Sequence, residues 1–166
     1  MPRVFLSYHY KSDHARATLI RNMGIVNCNK PVSPGEWEAV TGGGDDAIAR
    51  WIAEQMDGRT CAIILFGAET ATRPWVKHEI REAWKHYLGV LGIYVDRLKG
   101  AGGSQSVRGD NPLDFVTLGE NGTSLASIAK TYNPPFSDSR DAYQYIQDNL
   151  EDWVEEAVSI RDLYTD

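Results

Sequence analysis

The sequence has little cysteine, no excess of positive charge and no long apolar run. Cys28 and Cys61 are its only cysteines among 166 residues. Two thiols supply neither a disulfide framework nor a zinc-ligand set, so a reduced, cytoplasmic protein is expected. The net charge of −6 argues against non-specific nucleic-acid binding, which needs clustered Lys and Arg along phosphates. A small anionic ligand needs only a few local donors and stays open. The opening "VFL" is followed at once by polar residues, so neither a signal peptide nor a membrane span is expected. His9 and His14 have no third ligand at metal spacing, and no Ser-His-Asp or Cys-His order suggests a nucleophilic hydrolase. What remains is an ordinary globular composition, 42% hydrophobic and 24% charged, long enough for one domain with a proper core.

Apolar runs then alternate with helical spacing. "RVFLSY" (3–8) reads as a first strand and "KSDHARATLIRN" as a helix. A short second strand is expected near residues 24–28, followed by a Pro- and Gly-punctuated loop. In "TGGGDDAIARWIAEQMDG", Ile48, Trp51, Ile52 and Met56 recur at helical spacing, with Asp45 or Asp46 as a cap and Gly58 as a stop. "CAIILF" (61–66) and "GVLGIYV" (89–95) are continuous apolar runs, as in strands buried on both faces. Between them "RPWVKHEIREAW" predicts a helix opening at Pro74, its apolar stripe formed by Val76, Ile80, Ala83, Trp84 and Tyr87. The alternation implies an α/β fold with a parallel sheet and helices on both faces. Residues 99–112 form a glycine-rich loop, and "FVTLGENGTSLASI" suggests a hairpin turning at Asn121-Gly122. A last helix is expected over 140–158.

Such sheets bind ligands outside the carboxyl ends of their strands, which directs attention to the loops after Tyr8, Cys28, Phe66 and Val95. The nucleotide-binding glycine motifs are missing there, and so are the acidic residues of a phospho-receiver. Glu79 lies roughly 85° from the centre of its helix's apolar stripe, with Trp75 one turn before it on nearly the same line. That places it at the rim of the buried face. On pattern alone it is either a solvated helix glutamate or the acid of a reaction site. His78, one residue earlier, is expected to face solvent, and Glu36 reads as a loop charge beside the cleft.

Several stretches together resemble a TIR domain. "RVFLSYHY" resembles its first box, a hydrophobic strand ending in Ser-Tyr. "RPWVKHEI" resembles the Trp-x-x-x-Glu that opens the helix carrying the catalytic glutamate in NAD-consuming members. In order, "VFLSYHY", "GEWEAV", "AIARWIAEQM", "GAETATRPWVKHEI" and "LGIYV" are similar to the short TIR-like proteins of the bacterial Thoeris antiphage system, of the ThsB type. The resemblance implies a flavodoxin-like TIR fold filling residues 1–166: a core at about 2–98, a variable loop and hairpin at 99–135, and the C-terminal helix at 140–158.

It also implies a catalytic role for Glu79. Tyr8, His9, Tyr10, Glu36 and Trp75 would hold NAD⁺, which is substrate rather than cofactor, and no metal is implied. Val76 stands where many relatives have Cys, and Thr70 or Thr72 replaces the usual Ser. The implied activity is cleavage of the nicotinamide–ribose bond with formation of a cyclic ADP-ribose isomer. That product would be a second messenger for a separate effector, made by a homo-oligomer responding to a phage-derived trigger. Two other classes stay open: a non-enzymatic TIR adaptor working through TIR–TIR assembly, and a nucleotide sensor without chemistry.

Overall fold

In a computed structural model, which describes residues 1–29, 39–119 and 122–164, the apolar runs become the inner strands of one sheet. These are β1 (Arg3–Ser7), β3 (Cys61–Phe66) and β4 (Gly89–Tyr94). All six residues of β3 are buried, as expected of a strand covered on both faces. The strand β2 (Asn27–Cys28) and a strand absent from the sequence expectation, β7 (Thr131–Tyr132), complete a five-stranded sheet. The order is β2-β1-β3-β4-β7 and every pairing is parallel. This is the doubly wound, flavodoxin-like order. The two arms of the expected hairpin pair, β5 (Thr117–Leu118) antiparallel with β6 (Thr123–Ser124), while Asn121 of its expected turn lies outside the described residues.

Strand alternation divides the core into two layers. Val4 and Leu6 face a cluster built with α1 (Tyr10–Asn22) and α4 (Ser139–Asp162), which contributes Ile146, Leu150 and Val154. Phe5 faces the opposite cluster, built with α2 (Asp45–Met56) and α3 (Pro74–Lys85) through Ile52, Val76 and Ile80. Each such buried aliphatic contributes about 1.5–3 kcal/mol, enough for a few of them to fix a helix on the sheet. The α4 backbone comes so close to β4 that a Cβ on Gly89 would collide with Ala157. Tyr132 of β7 stacks on Trp153 of α4 at 4.1 Å and 10°, which gives a two-residue strand a side-chain anchor.

Three local expectations are corrected. Neither Asp45 nor Asp46 caps α2; the N-cap is Gly44 at φ 85°, and both acids stand in the first turn. A left-handed approach favours glycine, and the acids interact with the helix dipole instead. Tyr87 does not extend the stripe of α3, because the helix ends at Lys85 and Tyr87 is 60% exposed with φ 62°. Leu88 N–H donates to Ala83 O and Tyr87 N–H to Trp84 O, a Schellman ending with tyrosine where glycine is usual. His78 does not face solvent: its ring lies edge-on to Trp75 at 5.2 Å, and its Nε2 is buried.

Candidate active site

The site grows from the carboxyl ends of β1 and β3. After Phe66 the chain turns at Gly67, whose N–H donates to the fully buried Thr70 Oγ1 at 2.8 Å. A Cβ on Gly67 would land on the Asp13 carboxylate, so this turn accepts only glycine without rearrangement. A single 3₁₀ turn (Thr70–Thr72) follows, and α3 begins at Pro74 in its first position. Proline suits that position because the first helical N–H groups lack intrahelical partners in any case. Val76, Ile80 and Ala83 bind the helix to the sheet. Glu79, next to Ile80, is thereby held at the edge of the buried face.

Glu79 is half-buried, and burial is the main cause that pushes its carboxyl from 4.5 up to about 8. The Ser7 hydroxyl acts weakly in the opposite direction. Ser7 is 1% exposed, and its Oγ makes no well-aligned hydrogen bond. It therefore lies near enough to influence the carboxyl without a settled bond in this state. Among the described residues no cation pairs with Glu79. A buried acid without a cation is held largely protonated near neutrality.

The other expected site residues that the structure describes divide into three groups. Trp75 is half-buried, packs on the same cluster as Val76 and Ile80, and stands one turn before Glu79. Tyr8 leaves β1 on the opposite face and packs against the layer that holds Val4 and Leu6. Burial raises its phenol pKa, Arg21 opposes that, and Glu79 adds a small electrostatic contribution. His9 and Tyr10 open α1. His9 Nδ1 is 2.8 Å from Ser12 Oγ and 3.9 Å from Glu69 Oε2, which also accepts from Arg73 at 2.9 Å. Burial, then the Arg73 charge, lowers the His9 pKa. The Tyr10 ring lies 4.9 Å from that of His14. Glu36 lies outside the described residues.

The sequence reasoning missed a buried brace beside the site. Arg16 Nη1 donates to Asp13 Oδ1 at 2.9 Å, Arg16 Nε to Leu98 O and Arg16 Nη2 to Ser104 O. One guanidinium thus ties the start of α1 to the glycine-rich loop after β4. Asp96, 3% exposed, takes Arg108 in the same loop at 3.1 Å. Helical spacing could have paired Asp13 with Arg16 (i, i+3), but the carbonyl partners are some eighty residues away in sequence.

Fold and site together define a flavodoxin-like α/β domain with a desolvated glutamate at the carboxyl end of its parallel sheet. A profile described as "Thoeris protein ThsB, TIR-like domain" matches residues 5–100, and the chain belongs to that family. It is 27% identical over 119 residues to a Bacillus cereus (strain MSX-D12) protein named "Putative cyclic ADP-D-ribose synthase ThsB1". The match takes in 69% of this chain and 62% of that protein, less than two thirds of its length. Among solved structures, the TIR domains of the activated Roq1 resistosome, which directly recognises the pathogen effector XopQ, align over 98% of this chain and 85% of theirs. Their TM-score is 0.36 and the identity 11%. No described helix is long and apolar enough to cross a membrane.

Proposed function

We propose that this chain is an antiphage-defence enzyme that breaks the nicotinamide–ribose bond of NAD⁺ and closes the ADP-ribose into a cyclic second messenger. The observation that carries the reading is Glu79, a half-buried acid with no cation paired to it among the described residues, at the ligand-binding end of the sheet. The name of the Bacillus cereus relative, "Putative cyclic ADP-D-ribose synthase ThsB1", supports the same chemistry.

The energetics fit a cationic substrate. Nicotinamide in NAD⁺ is positively charged while attached and neutral once released. As the bond lengthens, positive charge moves to the ribose as an oxocarbenium-like centre. A cation arriving beside Glu79 favours the ionised carboxyl, so the proton held in the free protein leaves to solvent on binding. The carboxylate then faces charge that grows on the sugar, and stabilising developing charge is the largest lever a site of this kind has. Leaving-group departure needs no acid, because nicotinamide leaves neutral. A nucleophile within the folded dinucleotide takes the anomeric carbon and loses its proton, and a site that excludes water favours that internal route over hydrolysis. Trp75, Tyr8, His9, Tyr10 and Glu36 are proposed to hold the folded substrate, and the product to activate a separate effector.

The test is made in phage-infected cells expressing wild type or Glu79→Gln. Nucleotide-sized material is analysed by mass spectrometry for ADP-ribose less one water. The expected result is a cyclic species in wild type only. Product made equally by Glu79→Gln would refute the assignment. Absence of product with every phage, together with TIR-partner binding unaffected by the substitution, would favour a non-enzymatic adaptor.

A further inference from the structure

Ser7 ends β1, and its place follows from alternation alone. Phe5 lies in the cluster under α2 and α3, while Val4 and Leu6 lie in the other layer. Two residues after Phe5, Ser7 must also face α3. Its β3 neighbour is Ile64, which brings no polar group. Ser7 is 1% exposed, so water does not reach it. Its hydroxyl is among the few buried side-chain groups without a well-aligned hydrogen-bond partner. A buried hydroxyl left unpaired costs about 1–3 kcal/mol, and nothing in apolar packing requires one here, since alanine would fill the same strand position. On α3 the Glu79 carboxyl feels that hydroxyl.

We infer that Ser7 is a positioning residue, whose hydroxyl turns its proton onto one oxygen of Glu79 when that carboxyl ionises and leaves the other oxygen for the substrate. The inference rests on Glu79 being the reacting acid, and it adds how the acid is tuned. A protonated carboxyl offers Ser7 a weak acceptor, whereas a carboxylate offers a charged one, and hydrogen bonds to charged groups are the stronger kind. Ser7 therefore costs stability in the resting protein and returns it in the ionised one.

The surrounding charges leave that task to Ser7. Glu69 is engaged with Arg73 and faces His9, and Glu82 is engaged with Lys85 and His86. His78 on α3 has Nε2 buried and unpartnered against Trp75. Tyr8, at the end of β1, feels the Glu79 charge, but its phenol is opposed by Arg21 rather than paired with the carboxyl. Among the described residues, burial and Ser7 are the causes acting on Glu79.

The measurement is a carboxyl carbon NMR titration of the purified full chain with labelled glutamate, the Glu79 signal being assigned by its loss in Glu79→Gln. Ser7→Ala is expected to move the Glu79 midpoint up by about one pH unit. Ser7→Thr, which keeps the hydroxyl, is expected to restore the parental midpoint. A parental midpoint in Ser7→Ala overturns the inference, and so does an upward shift of equal size in Ser7→Thr, which would make the effect one of packing. The titration is read without NAD⁺, so it is independent of turnover. If Glu79→Gln still made the cyclic product, the enzymatic reading would fall while the titration remained interpretable.

Discussion

Replacing Glu79 by glutamine changes one proton and almost no volume, and its effect on stability has a sign that depends on pH. With its carboxyl held from 4.5 up to about 8, the folded chain binds a proton across that interval while the unfolded chain has released it. Stability then falls as pH rises through the interval and levels off above about 8. At 1.36 kcal/mol per pH unit the full interval corresponds to about 5 kcal/mol. Glu79 is only half-buried, so water reaching the ionised group reduces the cost to about 2–4 kcal/mol. Glutamine carries no such cost. The two proteins should therefore agree within about 1 kcal/mol at pH 5, and the variant should be more stable by about 2–4 kcal/mol at pH 9. Urea unfolding of both at intervals from pH 5 to 9 measures the difference directly. Asp13, whose carboxyl is also raised by burial, contributes equally to both proteins and cancels. A difference independent of pH would refute the reasoning, because it would mean that Glu79 titrates as an exposed glutamate.

Other substitutions probe the frame around the site. Asp13→Ala leaves the Arg16 guanidinium buried and unpaired, and should cost about 3–5 kcal/mol in urea unfolding. Gly67→Ala pushes a methyl group into the Asp13 carboxylate. It should cost about 1–3 kcal/mol, with a non-additive sum in the double variant with Asp13→Ala, read from a double-mutant cycle. Arg161, 3% exposed, lies on the rings of Trp84 and Tyr87 and donates to Trp84 O. Arg161→Ala should cost about 2–3 kcal/mol and speed hydrogen exchange at the last turn of α3.

The strands β1, β3 and β4, the start of α3 at Pro74 and the rim position of Glu79 were all legible in the sequence. Each is set by a local, repeating cause: an unbroken apolar run, a fixed backbone angle, a helical spacing. β7 was not legible, because two residues carry no period and Tyr132 is held by Trp153, twenty-one positions away. A still greater distance in sequence concealed the Arg16 brace, whose carbonyl acceptors have no side-chain signature. The end of α3 was misjudged at Tyr87 because an apolar residue at the right spacing continues the stripe on paper. In the structure the cation of Arg161 lies over the rings of Trp84 and Tyr87, and Tyr87 takes the left-handed position that closes the helix.

The features that defeated pattern reasoning are concentrated around the features it found. Ser7 is an ordinary strand residue by sequence and a buried, unpaired hydroxyl by structure. Glu79 is a rim glutamate of undecided role by spacing and an acid with its carboxyl raised by burial in the structure. Both are unfavourable in the free protein, and packing alone would have replaced them with apolar residues. Under the proposed function the two costs would be relieved by the same event, the arrival of a positive charge between α3 and the end of β1. Ionisation of Glu79 would give Ser7 its acceptor, and the cation would give Glu79 its partner. A site built from two such liabilities would store part of its stability for the bound state. Saturating NAD⁺ should therefore stabilise wild type more at pH 7 than it stabilises either Glu79→Gln or Ser7→Ala, with Glu79→Gln losing most. Thermal unfolding of the three proteins with and without NAD⁺ measures this. Equal stabilisation of all three would mean that the dinucleotide does not engage this acid.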